Sequence, residues 1–137
     1  MLYIILKKMS TIDYNFGKNE EVKVLSKIRE HFGDENIKEC IDQYSKFDFI
    51  SDNYLYELKS RRNKYDQYPT TLIAIDKIIK DKNMIFLFNF TDGLFYIKYD
   101  KELFDKYQKK YFRRIDRGFD ISKLYIFIPI EDLTEII

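Results

Sequence analysis

Phe47-Asp48-Phe49-Ile50-Ser51-Asp52-Asn53-Tyr54-Leu55-Tyr56-Glu57-Leu58-Lys59 is the stretch on which the reading of the whole chain turns. Two apolar runs, Phe47 to Ser51 and Tyr54 to Lys59, flank Asp52-Asn53, a pair suited to a tight turn. Residues two apart on a strand share a face. Glu57 and Lys59 are therefore expected to project together, with Leu58 on the opposite face towards the core. A hairpin between the runs brings Asp48 beside Glu57. Two carboxylates and an ammonium then converge at one point.

Phosphodiester hydrolysis uses that set. Carboxylate oxygens suit Mg²⁺, a hard cation that takes few protein ligands and keeps several waters. Such a metal polarises a phosphoryl oxygen and lowers the pKa of water. A neighbouring Lys can orient the water or stabilise developing charge. An ordinary cross-strand ion pair between Glu57 and Lys59 is the simpler alternative.

Working outward, Met1 to Leu6 reads as a short strand and Tyr14 to Lys18 as a turn broken by Gly17. Asn19 to Phe32 carries Val24, Leu25, Ile28 and Phe32 at steps of three and four, one apolar helix face. Asn19 is placed as its N-cap, Glu20 and Glu21 in the first turn, and Gly33 as its stop. Strands are expected over Ile37 to Tyr44, Phe47 to Ser51 and Tyr54 to Lys59. A helix is expected from Pro69 through Thr71, Leu72, Ile75, Ile78 and Ile79. Met84 to Phe90 and Leu94 to Tyr99 form a strand pair about Asp92-Gly93. A short charged helix covers Lys101 to Lys109, and Leu124 to Ile130 is a last buried strand. Phe86, Phe88, Phe90, Phe95, Tyr125 and Phe127 are read as core strand residues. Helices interleaved with apolar strands predict a mixed α/β chain around one central sheet.

Asp48 followed by Glu57-Leu58-Lys59 resembles the PD-(D/E)xK nuclease superfamily, the fold of many restriction enzymes and Holliday junction resolvases. Phe47 stands where the family usually has Pro. Glu21, followed by Val24, Leu25 and Ile28, resembles the first-helix carboxylate of many members, with Glu20 the alternative one residue off. Glu57-Leu58-Lys59-Ser60-Arg61 is similar to the Glu-x-Lys-Ser-Arg segment of archaeal-type junction resolvases. The resemblance spans roughly Asn19 to Phe90. A second match, Asp13 with Glu21-Val22-Lys23, falls in a helical segment where Glu21 and Lys23 share no face.

The resemblance implies a restriction endonuclease-like α/β/α sandwich with a central mixed sheet, as a single domain over residues 1–137. It implies a Mg²⁺- or Mn²⁺-dependent endonuclease acting on DNA, junction-resolving or repair-like. Asp48, Glu57 and the Leu58 carbonyl would hold the metal, Lys59 would position the attacking water, and Glu21 would ligate a second ion or orient a water. It also implies a homodimer, since one such domain covers one strand of a duplex. The rival class is a non-catalytic nucleic-acid- or protein-binding module that keeps the nuclease fold.

Two basic clusters could meet phosphate. Arg61, Arg62 and Lys64 follow the candidate catalytic strand. Lys106, Lys109, Lys110, Arg113, Arg114 and Arg117 form the second, interleaved with Tyr107, Tyr111 and Phe112. Arg forks suit phosphate oxygens and aromatics stack on bases. For the second cluster a solvated surface helix is the simpler reading. The whole chain balances 24 Lys and Arg against 23 Asp and Glu, so any nucleic-acid contact rests on local patches.

Composition closes other routes. One Cys and one His exclude an internal disulfide and a Cys-based zinc site. Cys40 reads as a buried thiol. No Gly-rich phosphate loop is present, so no nucleotide cofactor is expected. No membrane span or signal-peptide core is visible, which predicts a soluble intracellular protein that is not secreted. Abundant Ile, Lys, Tyr, Phe, Asp and Asn beside a single Ala, Ala74, point to an A/T-rich genome of viral or low-GC origin.

Overall fold

The computed structural model describes residues 11–41, 47–116 and 119–137. The expected strand over Met1 to Leu6, and Arg117, lie outside the described residues. The chain is mixed α/β with few helices. In order it forms helix α1 (Thr11–Phe32), strands β1 (Lys38–Glu39), β2 (Phe49–Ile50), β3 (Leu55–Ser60) and β4 (Thr70–Ala74), and a 3-10 turn (Ile75–Lys77). Strands β5 (Met84–Phe90) and β6 (Gly93–Lys98), short helix α2 (Lys101–Asp105), β7 (Lys109–Asp116), β8 (Phe119–Pro129) and β9 (Thr134–Ile136) follow. Six strands form one sheet in the order β1-β2-β3-β5-β6-β9, and β4-β8-β7 form another. Within the larger sheet β3 and β5 run parallel and the remaining neighbours antiparallel.

Strand alternation distributes the core to two faces. From β5, Ile85 and Leu87 join Val24 and Ile28 of α1, with Tyr56, Leu94 and Ile136. Met84, Phe86, Phe88 and Phe90 point the other way, to Ile73 of β4 and to Ile126 and Ile128 of β8. Both faces of β5 are thus covered, which is why Met84 to Phe88 is a continuous apolar run. Val24 and Ile28 are buried as the helical period requires.

Helix α1 starts earlier than the sequence suggests. It runs back to Thr11, through Gly17 and Asn19, so Asn19 is an interior residue and not the N-cap. A single interior Gly costs about 1 kcal/mol, which a helix of this length absorbs. The stop is as expected. Gly33 adopts φ 61°, Asp34 N–H donates to Arg29 O at 3.0 Å and Gly33 N–H to Glu30 O at 3.3 Å, a Schellman closure. Arg29 Nε then donates to Ile37 O at 2.7 Å and pins the chain entering β1.

Further segments differ from the sequence reading. Pro69 to Ile79 is no helix: Thr70 to Ala74 pair with β8 as a strand, followed by one 3-10 turn. The Lys101–Lys109 helix stops at Asp105, and the charged stretch after it is strand β7, antiparallel to β8. The surface helix proposed for the second basic cluster is therefore a β-hairpin. Tyr125 and Phe127 are half-buried on the face opposite Ile126 and Ile128, which take the core positions. The β5–β6 loop is Thr91-Asp92, since Phe90 pairs with Gly93. The first strand of the hairpin region is confined to Lys38–Glu39, and residues 42–46 lie outside the described set.

Arg61 fastens the crossover between the two sheets. Its guanidinium donates from Nη2 to Leu72 O and from Nε to Thr71 Oγ1 at 3.4 Å, and sits 5.9 Å from the Phe88 ring centre. Burial holds its pKa below the ordinary arginine value. Arg61→Ala is expected to lower unfolding stability by about 1.5–3 kcal/mol through loss of charge-assisted bonds to buried acceptors. Urea unfolding of Arg61→Ala beside exposed Arg62→Ala, with an expected change under about 0.5 kcal/mol, measures the difference.

Candidate active site and basic cleft

Strand β2 is entered through a bend at Asp48. Phe47 and Phe49, two residues apart, pack into opposite core clusters. Asp48 lies at the break, and its backbone still follows the ladder, with Asp48 N–H donating to Tyr56 O at 3.0 Å. Its side chain curls to β3, where Oδ2 accepts from Leu58 N–H at 2.8 Å. This hydrogen bond fixes the carboxylate against the strand that carries Glu57 and Lys59.

On β3, Tyr56 and Leu58 face the α1 cluster and Leu55 the other. Alternation then sends Glu57 and Lys59 together, on the face opposite Leu58 as expected, to the side of the smaller sheet. Lys59 Nζ lies 3.1 Å from Glu57 Oε1. A second ammonium, Lys77 Nζ from the 3-10 turn, lies 3.5 Å from the same oxygen. Sequence reading missed Lys77, because the segment that carries it was read as part of a helix.

Glu57 is 3 % exposed. Burial pushes its carboxyl above the ordinary value, and the Asp48 carboxylate adds to the rise. Lys59 and Lys77 pull it back without cancelling the effect. Its Oε2 is buried with no hydrogen-bond partner among the described residues. A buried anionic oxygen left unsatisfied is costly.

The donor set fits a divalent cation of the Mg²⁺ type. Asp48 and Glu57 supply carboxylates, and the orphaned Oε2 is an oxygen ready for a ligand. In the parallel ladder Leu55, Glu57 and Lys59 turn their backbone groups to β5, so those of Leu58 face the Asp48 side. Among the described residues no group of three or more His, Cys, Asp and Glu is placed to hold a metal. Two carboxylates with a carbonyl are the sparse set that Mg²⁺ accepts.

The remaining predicted residues are placed as follows. Glu21 is half-buried on α1. Its neighbour Glu20 reaches the sheet, where Oε2 accepts from Asn89 Nδ2 at 3.3 Å, and pairs with Lys23 at 3.6 Å. Glu20 and exposed Arg62 line one cleft with Lys27 and Asp92. Asn89 is on the helix-facing side of β5, whereas Glu57 and Lys59 project from the other face of the sheet. Lys64 is exposed in the loop after β3. Lys110 lies 5.6 Å from the Phe127 ring centre, and Arg113 lines a second cleft. Arg114 is on β7, and its side chain lies outside the described residues. Cys40 is a half-buried free thiol.

The second cleft is reached from Glu57 through its two lysine partners. It has a volume of 480 Å³ and is bordered by Lys59, Lys77, Arg113 and Lys123, with Phe112 and Tyr125 among its apolar walls. The two lysines that hold Glu57 thus form one of its edges.

No family model, curated protein or solved structure matches this chain. Among the described residues no helix is long and apolar enough to cross a membrane.

Proposed function

We propose that this chain is a metal-dependent endonuclease of the PD-(D/E)xK type, built on a restriction endonuclease-like sheet. One observation carries the reading: Asp48, Glu57 and Lys59 meet beside a cleft edged with cations. The larger sheet is mixed, with β3 and β5 parallel and β2 antiparallel to β3, which supports the reading, while a strand replaces the expected second helix. Asp48, Glu57 and the Leu58 carbonyl would hold Mg²⁺ or Mn²⁺. Bound there, the ion would polarise the scissile phosphoryl group and lower the pKa of the attacking water. Lys59 orients that water and offsets charge on the phosphate, Lys77 adds a second positive charge, and the Leu58 amide keeps Asp48 in place. Glu20, which accepts from Asn89 on the helix-facing side of the sheet, stands apart from this set.

The test uses supercoiled plasmid and branched DNA with Mg²⁺, Mn²⁺ or EDTA. Cutting is expected with either metal, none in EDTA, and losses of about a hundredfold or more in Asp48→Asn and Lys59→Ala. Metal-dependent cutting that survives in both variants discards the site. Linear product appearing together with nicked circles indicates two copies acting on one duplex, the homodimer, which sedimentation checks.

A second reading is a non-catalytic nucleic-acid-binding module. The pairing of Glu57 with two ammonium groups favours it, since such a cluster can be purely structural. Binding with no cutting under any metal supports it.

A further inference from the structure

The β4-β8-β7 sheet presents a face that the proposed chemistry leaves unused. Ile73, Ile126 and Ile128 point inward to the core. Leu72, Ala74, Lys123 and Tyr125 point outward and border the 480 Å³ cleft. Phe112 from β7 lies over this face. It is 41 % exposed, with its ring centre 5.7 Å from Tyr125 in an edge-on arrangement and 5.9 Å from Phe127. Lys59, Lys77, Arg113 and Lys123 are among the residues that line the cleft. Lys123 is 3.4 Å from Asp76, with both side chains about half exposed, a pair that phosphate can displace at little cost.

We infer that this cleft binds single-stranded nucleic acid, with a base on Phe112 and Tyr125 and the phosphates between Lys77 and Lys123. The inference names the substrate class of the proposed hydrolytic site and to that extent rests on that reading. An aromatic wall separates single strand from duplex. Paired bases keep their faces stacked within the helix, whereas an unpaired base offers a free π face to an aromatic ring. Five cations, Lys59, Arg61, Lys77, Arg113 and Lys123, line this small aromatic cleft and concentrate basic groups locally in a chain whose net charge is near neutral. The strand would run past Lys59, so a flap or an opened branch would enter with its backbone leading to Glu57.

Binding is measured by fluorescence anisotropy in EDTA, with labelled oligothymidylate and oligouridylate of about twenty residues and a duplex of the same length. Either single strand is expected to bind about tenfold tighter than the duplex, the tighter of the two naming the sugar. Phe112→Ala is expected to lose about tenfold and Phe112→Tyr to retain binding. Lys123→Ala is expected to reduce the slope of log affinity on log salt by about 0.7. Duplex binding as tight as single-strand binding overturns the inference, as does unchanged affinity in Phe112→Ala with the far-ultraviolet circular dichroism retained. Because no metal is present, the outcome is separate from hydrolysis. A protein that binds the single strand but cuts nothing discards the nuclease and keeps the cleft. One that cuts with Phe112→Ala binding unchanged does the reverse.

Discussion

Glu57→Gln is expected to abolish cutting and at the same time stabilise the fold above neutral pH. The loss of a ligand carboxylate removes several kcal/mol of charge stabilisation at a metal site, a fall in rate of at least about a hundredfold. The stability gain follows from burial. Because the Glu57 carboxyl is held above its ordinary value of 4.5 in the fold, the native state binds its proton more tightly than the unfolded chain. Its stabilising contribution is complete below the unfolded pKa and is lost as pH rises through the folded one. Gln keeps the shape and never carries the charge. Lys59 and Lys77, each about 30 % exposed, turn to water when the anion is gone. Thermal melts at pH 8 should therefore place Glu57→Gln above wild type, with the difference vanishing towards pH 4. Metal affinity should fall on acidification, because the anion is the form that holds the metal. A variant less stable at every pH, or one that cuts normally, would overturn the assignment of Glu57.

Phe86→Ala is expected to be the most damaging substitution for stability, at about 3–5 kcal/mol. Phe86 is fully buried on β5, between the larger sheet and the β4-β8-β7 sheet, and its ring stacks with that of Phe104 at 6.1 Å. Truncation leaves a cavity that rigid strands on both sides cannot fill. The melting temperature should fall by roughly 10–20 °C. Tyr111→Ala, at a ring 72 % exposed, serves as the contrast, with an expected change within about 0.5 kcal/mol. Guanidinium unfolding of both compares them. A Phe86→Ala loss under about 1.5 kcal/mol means that the two sheets are not packed about this ring.

Asp48, Glu57 and Lys59 were legible because their placement depends on local rules: a tight turn at Asp52-Asn53 and the two-residue period of a strand. Strand β5 was equally plain, since Met84 to Phe90 has apolar residues on both faces. The crossover was not. Leu72, Ile75, Ile78 and Ile79 recur at helical steps, yet Thr70, Thr71 and Ile73 are β-branched, and pairing with β8 decides the outcome. That partner lies far along the chain, where no local pattern can reveal it. Lys77 was hidden for the same reason, because its approach to Glu57 depends on where the crossover turns. The start of α1 lies before Gly17 because a helix of 22 residues tolerates one interior glycine, which local breaker rules do not reveal. Lys109 to Asp116 reads as a charged helix surface when the alternation of Lys110 and Phe112 against Tyr111 and Arg113 is overlooked.

The crossover from β3 to β5 has a consequence for the order of assembly. The hairpin of β2 and β3 closes over a short loop and can form early, bringing Asp48 to Leu58 with little loss of chain entropy. Strand β4 must wait, because Ile73 pairs with Ile126 and Thr71 with Ile128. Non-local pairing of this kind is slow, and during synthesis it cannot begin until β8 has emerged. A growing chain would therefore hold its acidic residues in register before it has a cleft to bring a polyanion to them. The cleft itself is complete only when the last quarter of the sequence supplies Phe112, Lys123 and Tyr125 to its lining.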